Sequence, residues 1–295
     1  MRSIKQLLAL VGLPVLALAA LAACAPLRAL NAVADAGGGY AVQRGVPYGP
    51  LERQKLDIYT PSSPPVAGGW PVVVFFYDDS WNSGDRADYR FVGAALAAHD
   101  VLTLVADYRL YPAVRYPDFL HDSAQALAYG LKEASRLGAN PKRVFVMGHS
   151  AGAYNAAMLA LDPRWLAATG HAPHELAGLI GLAGPYDFFP TANVEAQPVF
   201  FHPNYPANAQ PIDYSAAEGP RAFLAAPVHD ALVSPTRSTR GLAERLQAAG
   251  DRVTLKMYER ASHQTLIAAM AWPLRWIAPV HADVLAFVES APARP

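Results

Sequence analysis

The pentapeptide Gly148-His149-Ser150-Ala151-Gly152 sets a serine hydroxyl between two glycines. It follows the apolar run RVFVMG (143–148) and opens the small-residue stretch AGAYNAAMLAL (151–161). A sharp strand-to-helix turn lifts a serine Oγ clear of the sheet and admits only small neighbours. The helix N-terminus that follows favours negative charge developing beside Ser150. A serine needs a base to become nucleophilic, and the base needs a carboxylate to orient it. In a strand–turn–helix setting of this kind the chain order is serine, acid, histidine. His263 in ERASHQT, read as a loop directly after the strand-like RVTLKMY (252–258), is the candidate base. Asp230 in HDALVSP, just past AFLAAPV (222–228), is the candidate acid, and Asp187 in GPYDFF, one strand earlier, is the runner-up. His281 lies in the terminal helical region and reads as structural, while His229 lines the same loop as Asp230. His171 and His174 have metal-like spacing but no further ligand nearby, so they read as surface residues. No metal or organic cofactor is implied.

These residues need a scaffold that brings 150, 230 and 263 together. Strand-like segments at 55–59, 71–77, 101–108, 143–148, 177–184, 222–228 and 252–258 alternate with helical ones at 87–98, 118–137, 151–161 and 237–249, and the end is helical. PVVVFFY (71–77) is nearly all apolar, as a strand buried on both faces should be. Strands separated by helices predict an α/β fold with a mostly parallel sheet, its functional residues at the strands' carboxyl ends. One stretch breaks the alternation. Residues 185–220 are rich in proline and carry Tyr186, Phe188, Phe189, Phe200, Phe201, Tyr205 and Tyr214. So long a loop is normally functional or disordered, and its aromatic content argues for a lid or pocket wall.

The chain has 295 residues, is 53% hydrophobic, and balances 24 Lys+Arg against 24 Asp+Glu. That supports one sizeable core, and the absence of a basic stripe with interleaved aromatics argues against a nucleic-acid partner. Arg2 and Lys5 precede an apolar stretch that ends in LAAC, and Cys24 is the only cysteine. This resembles the lipobox of bacterial lipoproteins. The resemblance implies a signal peptide over 1–23, acylation of Cys24, and a lipid anchor that holds the protein at the membrane of the bacterial cell envelope. By the same resemblance, Ala25 in the next position favours outer-membrane delivery in a host with two membranes. Residues 24–39, with three consecutive glycines, read as a tether of weak helical character. The folded domain then spans 40–295.

With YDDSW (77–81), DYRLYP (107–112), GHSAG, HDALVSP and Ser262-His263 in view, the domain resembles the α/β-hydrolase carboxylesterases. That group includes hormone-sensitive-lipase-like esterases, bacterial feruloyl-esterase-like proteins and kynurenine formamidases. The resemblance implies the α/β-hydrolase fold, a Ser150–His263–Asp230 triad and a small-molecule carboxylic ester as substrate; it says nothing of oligomeric state. That family carries His-Gly-Gly-x-Trp after the strand that here ends at Tyr77. Tyr77 then replaces the histidine, Asp78 and Asp79 replace the glycines, and Trp81 keeps the tryptophan. The implied oxyanion hole is the N–H of Ala151 with those of the Asp79–Ser80 turn, and the implied substrate contacts are Tyr77, Trp81, His149 and Tyr186. Two carboxylates beside a forming oxyanion would repel it unless both turn to water, and the residues alone leave both arrangements open. An amide hydrolase of the arylformamidase kind would use the same triad. A binding lipoprotein with a disabled oxyanion hole would rest on Asp78 and Asp79 alone.

Overall fold

Val72, Val73, Val74, Phe75 and Phe76 have no solvent exposure. β-branched and aromatic side chains at successive positions fill both faces of a pleated strand, which requires layers on each side. The computed structural model, which describes residues 26–65, 67–214 and 219–290, supplies those layers. Its strands are β1 (Tyr40–Pro47), β2 (Lys55–Pro61), β3 (Trp70–Phe76), β4 (Leu102–Ala106), β5 (Ala139–His149), β6 (Gly178–Leu182), β7 (Ala222–Pro227) and β8 (Val253–Tyr258). Its helices are α1 (Pro26–Gly37), α2 (Arg90–Ala97), α3 (Asp118–Glu133), α4 (Ala151–Leu161), α5 (Pro163–Ala167), α6 (Gly241–Ala248), α7 (His263–Ala268) and α8 (Val280–Glu289).

The strands form one sheet in the order β1-β2-β4-β3-β5-β6-β7-β8. β1 and β2 are antiparallel to each other, β2 is antiparallel to β4, and the rest run parallel. The chain steps from β3 outward to β4, then crosses back over β3 to β5. The carboxyl ends of β3 and β5 therefore form a topological switch point, where open α/β sheets bind ligands. This is the α/β architecture that the alternation of strands and helices predicts, in the α/β-hydrolase form that the resemblance implies.

Three differences from the sequence reading have physical causes. β1 carries no apolar alternation, because as an edge strand it is largely exposed along its length, so periodicity gives no signal. The segment read as a tether is helix α1 over Pro26–Gly37, packed on the domain. Buried Asn31 donates to the carbonyls of Ala87 and Asp88 and accepts the N–H of Phe91. His263 is the first residue of a short helix, capped by Ser262 and Thr265, and not a loop residue. The targeting segment and Cys24 lie outside the described residues. No helix among the described residues is long and apolar enough to cross a membrane.

The proline-rich segment is packed on the domain and not on itself alone. Tyr186 and Phe200 are fully buried. Phe188 and Phe200 pack against the rings of Trp81 and Tyr154, with centroids 4.9–6.1 Å apart. Apolar burial of this kind holds a long loop that has few backbone ladder bonds of its own.

Candidate active site

Phe76 of β3 is paired with Gly148 of β5, so the two chains leave the sheet side by side, and residues 78 and 150 become neighbours. Ser150 has φ 51° and ψ −118°, a sparsely populated conformation that surrounding packing must enforce. Its N–H donates to the Leu182 carbonyl at 2.8 Å. A Cβ on Gly152 would lie 2.1 Å from the Phe76 carbonyl oxygen, and one on Gly148 would lie 2.1 Å from that of Gly152. The glycines of GHSAG are therefore required by backbone approach, which is the physical content of the motif.

The three residues selected for the triad converge. His263 Nε2 is 2.8 Å from Ser150 Oγ, and His263 Nδ1 is 2.7 Å from Asp230 Oδ2. The other Asp230 oxygen accepts the N–H groups of Leu232 and Val233 at 2.8 and 3.0 Å, which fixes the carboxylate. Burial opposes its charge, but His263 and then these N–H groups hold its pKa below the usual range. Asp187, the runner-up, is engaged elsewhere, its carboxylate 2.6 Å from the Arg237 guanidinium. His281 is buried between Arg275 and the Ala95 carbonyl, and burial pushes its pKa down to about 4.

The two aspartates part company. Asp78 turns into the site. Its Oδ1 is 3.5 Å from the Ala151 N, and its Oδ2 is 3.7 Å from both His263 Nε2 and His149 Nδ1. Burial opposes its charge, but the two imidazoles hold its carboxyl well below the usual carboxylate range. Asp79 turns away toward Gly84 and Tyr77. Burial, and then the charges of Asp78, Asp88 and Glu195, push it up to about 6. Asp79, Ser80 and Trp81 all have positive φ, at 100°, 52° and 60°. The backbone has kept a path that favours glycine although no glycine occupies it. His263 is affected in turn. Burial alone would lower its pKa, yet the carboxylates of Asp230 and Asp78 outweigh burial and push it up to about 9.

The other expected substrate contacts are corrected by their burial. Tyr77 is wholly buried, stacked between Tyr89 and Tyr108, with its hydroxyl bonded to Arg53 and Asp107. Trp81 is in the core and donates to Asn155 Oδ1 at 2.9 Å. Tyr186 is buried against Gly181 and Gly184. These three support the loops and offer no free face to a ligand. His149 stays at the site, buried, with Nε2 3.0 Å from the His263 carbonyl. Burial pushes its pKa down to about 4, so it is neutral near pH 7.

Three supporting residues escaped the sequence reading. Asn155 anchors Trp81 from inside α4. Asn193, in the proline-rich segment, donates to Ser80 Oγ at 3.0 Å and ties that segment to the 78–81 loop. Asp107 accepts the Arg86 N–H at 2.8 Å, pairs with the Arg86 side chain, and bonds to Tyr77. Only Asp107 left a trace in sequence, as a carboxylate closing an apolar strand that must find a cation or donors once buried.

The chain matches solved structures over most of its length. A truncated carbohydrate esterase from gut microbiota aligns with a TM-score of 0.70 at 16% identity, over 86% of this chain and 98% of that one. Thermogutta terrifontis esterase 2, phosphoramylated by tabun, aligns at 0.68 and 21%, over 87% and 97%. At these identities the likeness is one of fold. Among curated proteins, Mycobacterium tuberculosis esterase LipC is 27% identical over 71% of this chain and 56% of its own. Arabidopsis thaliana isoprenylcysteine alpha-carbonyl methylesterase ICME is 32% identical over 50% and 35%. The chain thus spans little more than half the length of these relatives, or less. The BD-FAE family model matches residues 56–246, which takes in the 78–81 loop, the serine turn and Asp230, and the chain belongs to the BD-FAE family.

Proposed function

We propose that this protein is a serine hydrolase of carboxylic esters, with an oxyanion hole obstructed by its own Asp78. The reading rests above all on the continuous contact from Asp230 through His263 to Ser150, at 2.7 and 2.8 Å. Ser150 Oγ attacks the ester carbonyl, and His263 Nε2 takes the serine proton, then returns it to the leaving alcohol. Asp230 keeps the His263 proton on Nδ1 and stabilises the imidazolium. The Ala151 N–H, at the start of α4, is the donor best placed for the oxyanion. Asp78 stands at that donor, and turnover requires its carboxylate to move aside. The esterase names of the relatives and fold neighbours agree with this class of substrate. An amide substrate would call on the same atoms, and no feature of the site favours it.

The experiment is labelling with a fluorophosphonate probe beside hydrolysis of a p-nitrophenyl ester. Ser150→Ala should abolish both. Labelling that survives Ser150→Ala would remove Ser150 as nucleophile. A parent that turns over neither probe nor ester would favour a hydrolase-fold binding protein, with the Asp78 obstruction as its cause. For location, the Arg2–Cys24 pattern supports a lipid anchor on Cys24 at the bacterial envelope.

A further inference from the structure

We propose that Asp78, His149 and His263 form a site for a divalent transition-metal cation, zinc being the best match, and that occupancy switches the serine off. The residues alone implied no metal, because positions 78, 149 and 263 are far apart in sequence. The fold brings one ligand atom of each within 4.8 Å of the others.

His149 carries the argument. Its Nε2 faces a backbone carbonyl at 3.0 Å. A carbonyl only accepts, so Nε2 holds the proton and Nδ1 presents a bare lone pair. That Nδ1 is buried, has no hydrogen-bond partner, and points at the Asp78 carboxylate 3.7 Å away. Two acceptors facing each other in a buried site call for a cation between them. His263 offers the third ligand atom, although its Nε2 also meets Ser150 Oγ at 2.8 Å. Its Nδ1 is held by Asp230 and its Nε2 lies 3.7 Å from the same Asp78 oxygen. Both histidines thus have the outer partner, a backbone carbonyl or a carboxylate, that metal-bound imidazoles usually have. Two imidazoles and a carboxylate suit zinc. Tetrahedral zinc with bonds of about 2.0–2.1 Å sets ligand atoms roughly 3.3 Å apart, so the two 3.7 Å pairs must close by a few tenths of an ångström and the two histidine nitrogens by no more than about 1.5 Å.

Zinc bound here takes the Nε2 lone pair of His263. Any proton on Nε2 leaves to solvent, and Nδ1–H stays on Asp230. The base can then accept nothing from Ser150. The inhibition rests on the serine-hydrolase reading; the binding does not.

Zinc chloride is titrated calorimetrically into the chelator-stripped full chain, the parent beside Asp78→Asn and His149→Gln, each checked for an unchanged circular dichroism spectrum. The expected result is one tight equivalent in the parent, weakened at least about 100-fold in both variants, since even outer-partner losses cost 10–100-fold. Zinc should also slow fluorophosphonate labelling of the parent reversibly, with EDTA restoring it, and should leave Asp78→Asn labelling unaffected. No tight equivalent in the parent, or one that survives both substitutions, overturns the site; the second result would place zinc elsewhere, for instance at His171 and His174. Tight binding at this site without slower labelling overturns the switch.

Discussion

Asp78→Gly should raise the ester hydrolysis rate by roughly 100-fold, almost entirely in kcat. In the parent, the carboxylate lies 3.5 Å from the N–H that the oxyanion needs. If it swings aside to about 5 Å from the oxyanion, the repulsion at an effective dielectric of 20 is about 3 kcal/mol, or about two decades in rate. Were it to stay, loss of that donor would cost a comparable 10²–10³. An opposing effect has to be weighed, because Asp78 also attracts the imidazolium that forms as Ser150 attacks. With the His263 pKa at about 9, that imidazolium already exists in the resting enzyme near pH 7. The attraction therefore stabilises ground and transition states alike and does little to the rate, whereas the oxyanion exists only in the transition state. The sign with pH follows. A raised histidine pKa means that the base form, and activity, appear only as pH rises through about 9. Without Asp78 the acid limb should move to lower pH, with Asp230 the remaining carboxylate partner. Steady-state kinetics on a p-nitrophenyl ester from about pH 6 to 10, with EDTA present, measures both effects. Asp79→Gly is the control and should change kcat less than about tenfold, because its carboxylate turns toward Gly84. Equal kcat and an unmoved acid limb in Asp78→Gly would refute the obstruction.

Gly152→Ala should destabilise the domain by about 3 kcal/mol or more, since its Cβ meets the Phe76 carbonyl and no rotamer relieves a backbone clash. Thermal unfolding should fall by roughly 6–12 °C, and an unchanged Tm would mean that the elbow is looser than its contacts indicate. Cys24→Ser should release the protein from the membrane fraction or block its maturation, and a variant that processes and partitions like the parent would reject the lipid anchor.

The apolar runs at 71–77 and 143–148 determine the buried strands, because only a covered sheet can take valines and phenylalanines on both faces. The glycines of GHSAG and the order 150, 230, 263 determine which residues meet, since steric exclusion and chain order are local or topological properties. Sequence also showed that Asp78 and Asp79 stand where similar enzymes place glycine. Which way each carboxylate turns was a matter for the tertiary structure alone. The register of Phe76 with Gly148 sets residue 78 against residue 150, and His263 draws one charge inward while Asp79 is displaced toward Gly84. The resemblance implied Tyr77, Trp81 and Tyr186 as pocket residues, and aromatics near a strand end suit a pocket or a core. Burial decided against them, and burial depends on what the distant segments 185–214 and 107–119 lay over them. The three-residue cluster of Asp78, His149 and His263 has no sequence signature at all. Its ligands come from three strand ends, and only the folded sheet brings those ends to one point.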